Sequence, residues 1–153
     1  MKRACEIRPA GEWNEASAVD SIALDAHERY RRRIVLTGER GTRFLLDLPK
    51  AMALHDGDGL LLDDGAIVRV AGRLEPLLEI RAASAAELAR LAWHIGNRHI
   101  DVQVAGDRLR IRRDHVIEDM LRGLGAEVTP IEAPFEPEGG AYAHHHHDDD
   151  DHF

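Results

Sequence analysis

The sequence predicts an α+β protein in three parts: a small all-β domain over residues 1–74, a helix-containing domain over 75–137, and a His/Asp-rich tail over 138–153 expected to be disordered. Three observations predict this. Short apolar runs separated by turn signals fill the first half. Helical periodicity appears only after Gly72. Beyond Pro134 the chain turns rich in Pro, Gly and Glu and ends in charged and imidazole side chains that cannot build a core.

In the first part, Lys2 to Arg8 alternate charged and apolar, and Ile22 to Leu24 form a short apolar run. Arg33–Thr37 and Arg43–Leu48 flank Gly38-Glu39-Arg40-Gly41, a hairpin signal, with Pro49 expected to end the second strand. Leu60–Leu62 and Ala66–Val70 flank Asp63-Asp64-Gly65, a second one. Many short strands of this kind predict a small sandwich or barrel. Asp56-Gly57-Asp58-Gly59 resembles the start of an EF-hand loop, but Ile67 stands where the bidentate Glu is needed, so a turn is expected.

In the second part, Leu77–Arg81 reads as a strand. Ser84 with Glu87 forms a capping box, Leu88, Leu91 and Ile95 share one helical face, and Gly96 is a natural stop. Ile100–Val104 alternates as a strand, 105–108 turns, and Leu109–Ile111 returns. Asp114 caps a second helix bearing Ile117, Met120, Leu121 and Leu124, Gly125 stops it, and Glu127–Ile131 is the last strand. The order is βαββαβ, the ferredoxin-like plan, with two helices on one face of a four-stranded sheet.

Composition excludes several functions. A formal net charge of −8 denies the chain the overall basic footprint of a nucleic-acid binder. No apolar run approaches the ~18 residues of a membrane span, and no export signal is visible at the N-terminus. The lone Cys5 allows no internal disulfide and fits a reducing cytoplasm, where it reads as a small strand residue. There is no phosphate loop with lysine, no nucleophile elbow and no HExxH, so an enzyme is not expected.

The histidines carry the chemistry. Five of the last ten residues are His, namely His144, His145, His146, His147 and His152, beside Asp148–Asp151. Imidazole suits Ni, Cu and Zn, and a run of imidazoles offers many interchangeable chelating pairs. A purification tag is usually six consecutive histidines, so this run reads as a natural metal-binding tail of low selectivity. His99 is the sharper candidate. A hairpin turning at 105–108 sets it opposite Arg113 or Asp114, and His115 follows at the start of the second helix. Two imidazoles and the Asp114 carboxylate are therefore expected to converge at one end, with Ile100, Val102 and Val104 toward the helices and His99 away from them. A helix N-terminus disfavours cations, which ranks His115 below His99. His94 reads as a helix-end residue, and His27 and His55 as lone loop residues.

His94-Ile-Gly-Asn-Arg-His99, Asp114-His115-Val-Ile-Glu-Asp-Met-Leu121 and Ala133-Pro-Phe-Glu-Pro-Glu-Gly-Gly-Ala-Tyr142, followed by the His-rich tail, resemble the UreE family of urease accessory proteins across essentially the whole chain. The resemblance implies a nickel metallochaperone for urease maturation, with a peptide-binding-type N-terminal domain and a homodimer formed through the second domain. It implies that His99 is the main ligand, shared with its copy at the dimer interface. His115 matches a peripheral ligand, and the tail adds auxiliary ligands. The implied cargo is Ni2+, with Zn2+ or Cu2+ also binding in vitro. The implied partners are the urease accessory GTPase and the urease apoprotein complex, with no nucleic acid and no membrane. Two departures stand out: Asp101 where Pro is common, and Arg113 where some members have a further His, which argues against a full site through positions 113 and 115. The alternatives are a nickel or zinc storage protein without delivery, a ferredoxin-like RNA-binding module, for which the sheet face offers Asp101, Gln103, Arg110 and Arg112 but no aromatic, and a small hydrolase, which lacks a nucleophile.

Overall fold

The computed structural model describes residues 1–139. They fall into two compact units, Met1–Arg73 and a second beginning at Leu74. The first contains six strands, β1 (Lys2–Arg8), β2 (Asp20–Leu24), β3 (Tyr30–Thr37), β4 (Arg43–Ala53), β5 (Gly59–Leu62) and β6 (Ile67–Gly72), in the sheet order β2-β6-β5-β1-β4-β3. Alternation decides what faces inward: Phe44, Leu46 and Leu48 from β4, Leu60 and Leu62 from β5, and Val68 and Val70 from β6. Ile22 on one edge strand and Leu36 on the other join the same core, so the sheet curls on itself.

A buried carboxylate ties that curl. Asp20 on β2 accepts hydrogen bonds from the backbone N–H groups of Ser21 (2.7 Å), Arg40 (2.8 Å) and Thr42 (3.1 Å), the last two in the β3–β4 turn. Glu39 N–H also donates to the Ser21 carbonyl at 2.8 Å. Gly38 is required here because a Cβ would lie 2.4 Å from the Asp20 carboxylate. Burial opposes ionisation of Asp20, but the Arg40, Thr42 and Ser21 donors outweigh it and hold its carboxyl below the ordinary value. Asp58 does similar work, accepting from Ala10 N–H (3.0 Å) and His55 N–H (2.8 Å), so the stretch that resembled a calcium loop is a turn.

Pro49 does not end β4, which runs on to Ala53. The proline cannot donate to a ladder, and none is asked of it. β1 pairs with β4 only at residues 44–46, and the β3–β4 register shifts between the Asp47 and Met52 pairs.

The second unit is β7 (Leu74–Arg81), α1 (Ala85–Asn97), β8 (Gln103–Ala105), β9 (Arg108–Arg112), α2 (His115–Gly123) and β10 (Glu127–Pro134), the expected βαββαβ order. Its antiparallel sheet runs β10-β7-β9-β8. Leu91 and Ile95 from α1 and Ile117 and Leu121 from α2 pack with Leu78, Ile80, Leu109, Ile111 and Val128 in one cluster, so both helices cover one face. Each such side chain contributes roughly 1.5–3 kcal/mol of burial. Ser84 Oγ accepts from Glu87 N–H at 3.2 Å and starts α1. Gly125, with φ +90°, follows the end of α2, where its N–H donates to the Arg122 carbonyl at 3.0 Å. No helix among the described residues is long and apolar enough to cross a membrane.

Two sequence expectations fail in this unit. Helix α1 passes Gly96 and ends at Asn97. The ladder of β8 covers only Gln103–Ala105, so Ile100 to Val102 are unpaired. Ile100 and Val102 do pack against the helix-side core as expected. Val104 shares the face of Leu109, yet its place on an edge strand leaves it exposed.

Candidate metal site around His99

The backbone explains both failures. Among the described residues, His99 is the only non-glycine with positive φ, at 59°. Its N–H donates to the Gly96 carbonyl (3.0 Å), and that of Ile100 points back to the Ile95 carbonyl (3.5 Å). This is a Schellman ending with His99 in the left-handed C′ position and Ile100 folding back on the core beside Ile95. Gly96 stays helical because the reversal comes three residues later. Left-handed backbone normally favours Gly or Asn and costs an L side chain roughly 1–2 kcal/mol. The imidazole of His99 sits in that conformation and is exposed.

The site lies where α1 ends and α2 begins. Both are at the end of the sheet where β8 starts and β9 finishes, so His99 and His115 share that end, as antiparallel pairing predicted. The Asp101–Arg112 ion pair (3.0 Å) continues the same register across the unpaired stretch. The expected convergence of two imidazoles and Asp114 does not occur. Asp114 Oδ1 accepts from Val116 N–H (2.9 Å) and Ile117 N–H (3.1 Å) and serves as the N-cap of α2. No group of three or more His, Cys, Asp or Glu side chains able to hold a metal exists among the described residues. His144–His147 and His152 lie outside them.

Electrostatics separate the two histidines. His99 follows the C-terminal end of α1, where the helix dipole favours a cation, whereas His115 is the first residue of α2. Two exposed apolar side chains lie on these helices: Trp93, four residues before the end of α1, is 62% exposed, and Val116, in the first turn of α2, is 60% exposed. Trp93 also meets the His94 ring edge-on, with centroids 5.0 Å apart, which gives His94 a packing partner.

The motif beginning at Ala133 makes contacts that were not read from the sequence. After β10 the chain does not leave the domain. The Phe135 ring is fully buried, with the Arg112 guanidinium 4.7 Å from its centroid. Glu136 N–H donates to Gln103 Oε1 (3.0 Å), and Glu138 N–H to the Val102 carbonyl (2.7 Å). The signal was a single aromatic, Phe135, between Pro134 and Pro137 in an otherwise polar stretch. Higher on the same sheet face, Glu79 is held by Arg110 (3.0 Å), Arg108 (3.1 Å) and Arg81 (3.4 Å). Burial opposes its ionisation, but the Arg110, Arg108 and Arg81 guanidiniums hold its carboxyl below the ordinary value. Among the described residues, this face has its arginines engaged and Phe135 buried, so they present no exposed aromatic there for stacking RNA bases.

Comparison with known proteins places this two-unit architecture. The family models for the N-terminal and C-terminal domains of UreE urease accessory proteins match residues 4–72 and 75–153. The chain is 57% identical over 143 residues to the urease accessory protein UreE of Bradyrhizobium sp. (strain ORS 278), covering 94% of this chain and 68% of that protein. It is 56% identical over 125 residues to that of Chelativorans sp. (strain BNC1), covering 82% and 79%. It is 48% identical over 142 residues to that of Rhodobacter capsulatus, covering 93% and 87%. The chain belongs to the UreE family of urease accessory proteins.

Proposed function

We propose that the protein is a nickel metallochaperone, not an enzyme, that delivers Ni2+ for assembly of the urease active site, with His99 as its central ligand. The observation that carries this is the exposed imidazole at a left-handed helix ending, where an ordinary structural role would favour Gly or Asn. One copy's described residues supply too few donors for a closed shell. A second His99 from another copy, with His144–His147 and His152 as auxiliary ligands and His115 as a peripheral one, would supply more. A shell assembled this way is exchangeable, which suits delivery better than the closed four-ligand shell of a structural zinc site. Neutral imidazole is the ligand, so protons compete and binding weakens as the pH falls. Zn2+ and Cu2+ are expected to bind in vitro as well, since ligand type alone does not select nickel. In this reading the protein works in the cytoplasm with the urease accessory GTPase and the urease apoprotein complex.

Calorimetric titration with Ni2+ tests the ligand assignment. His99→Ala combined with truncation after Tyr142 is expected to abolish tight binding; tight binding left untouched would sink it. The exposed Trp93 and Val116 support a homodimer closed over this end of the unit. Trp93→Asp is expected to shift sedimentation toward the monomer, and an unchanged sedimentation profile would point the interface elsewhere. Storage without delivery is the second reading; it predicts high metal capacity with no association to the GTPase in pull-downs.

A further inference from the structure

We infer that the segment Phe135–Glu138 is a strap that positions the His99 loop, with Phe135, Gln103 and Arg112 as its positioning residues. The inference rests on the assignment of His99 as a metal ligand.

The loop needs such a device. Ile100, Asp101 and Val102 connect α1 to β8 without ladder hydrogen bonds, on the edge strand of the sheet. A loop so placed and held only by the Ile100 and Val102 side chains would open easily. The strap supplies a backbone bond there: Glu138 N–H donates to the Val102 carbonyl at 2.7 Å. One residue on, the Gln103 side chain accepts from Glu136 N–H at 3.0 Å. Phe135 acts from beneath. It is fully buried on the sheet face opposite the helices, where Leu77 is also fully buried, and Arg112 lies over its ring. The same Arg112 guanidinium holds Asp101, two residues after His99, at 3.0 Å. Two routes thus run from the strap to the loop, one through Val102 and Gln103 and one through Arg112 and Asp101.

The path of the chain is consistent with this. At Pro134 it pairs with Leu74 on β7, at one edge of the sheet, and at Glu138 it bonds beside β8, at the other. The strap thus passes from one edge of the sheet to the other within four residues.

The test uses the full chain with His144–His147 and His152 changed to Ala, so that Ni2+ reports the His99 site alone. Gln103→Leu and Phe135→Ala in this background are expected to weaken nickel affinity by about 10- to 100-fold, the usual loss when groups supporting a ligand are removed. Gln103→Glu keeps the acceptor for Glu136 N–H and is expected to restore affinity. Amide exchange of His99 and Ile100, measured without metal, is expected to quicken in Gln103→Leu and recover in Gln103→Glu. If both strap variants keep the parent's affinity and exchange rates while His99→Ala loses binding, the strap idea is wrong and the ligand assignment stands. If His99→Ala itself leaves affinity unchanged, both fall. Should Phe135→Ala fail to fold, the Gln103 pair decides alone.

Discussion

The two units solve the same problem, a carboxylate shut away from water, by opposite means. In the first, Asp20 and Asp58 are satisfied by backbone N–H groups of turns, so each acid fixes loop geometry. In the second, Glu79 is satisfied by arginine side chains projecting from β7 and β9, so the acid cross-links a sheet face. Charge follows the same division. Residues 1–73 carry twelve basic and twelve acidic side chains, and residues 74–153 carry eight and sixteen. The unit without net charge ties its loops through these backbone bonds. The acidic unit, which carries His99 and the tail and would attract cations, keeps its critical loop off the ladder and holds it from outside.

The largest expected effect comes from Asp20→Ala, which takes the acceptor from three part-buried N–H donors at once. It should destabilise the first unit by about 2–4 kcal/mol. Calorimetry should show one transition falling while nickel affinity holds, and a fall in affinity would break the separation between the units. Glu79→Gln should cost about 2 kcal/mol in the second unit, because the neutral amide cannot offset the guanidiniums. Both carboxyls are lowered on folding, so their contribution is full above the ordinary values of 3.8 for Asp20 and 4.5 for Glu79 and is lost as pH falls through the lowered folded values. Acid melting curves should therefore be flatter for Glu79→Gln than for the parent below about pH 4.5; parallel curves would remove Glu79 from the account. The smallest effect is the most diagnostic. His99→Gly should stabilise the metal-free protein by up to about 1 kcal/mol, because glycine enters the left-handed region freely. The same change should abolish nickel binding at the site. A loss of stability would show that His99 makes an unrecognised structural contact.

Much of this was legible in the sequence, and the gaps have physical causes. Lys2–Arg8 was read correctly as a strand, although only Ala4 in it is buried and an irregularity between Ala4 and Glu6 breaks the alternation. The order βαββαβ followed from two clear helical faces and their caps. Pro49 misled because proline ends a ladder only where a partner needs its N–H, and partners are long-range information. Gly96 misled because the left-handed residue fell on a histidine, against propensity. The shared end of the sheet for His99 and His115 was readable from hairpin register, and the observed Gln103–Arg110 pairing extrapolates to Asp114. What register does not reveal is that Asp114 faces its own helix. The strap was hidden because Pro/Gly/Glu-rich composition reports the absence of a core of its own, and Phe135 borrows one.

The strap also sets an order of events. Phe135–Glu138 follows every described helix and strand of the second unit along the chain. A polypeptide emerging from its N-terminal end therefore has the His99 imidazole early and its frame last. On the strap reading, a chain interrupted before Glu138 would display His99 as an ordinary surface histidine. Competence to hold metal then works as a completion check, acquired only when the whole domain has been made.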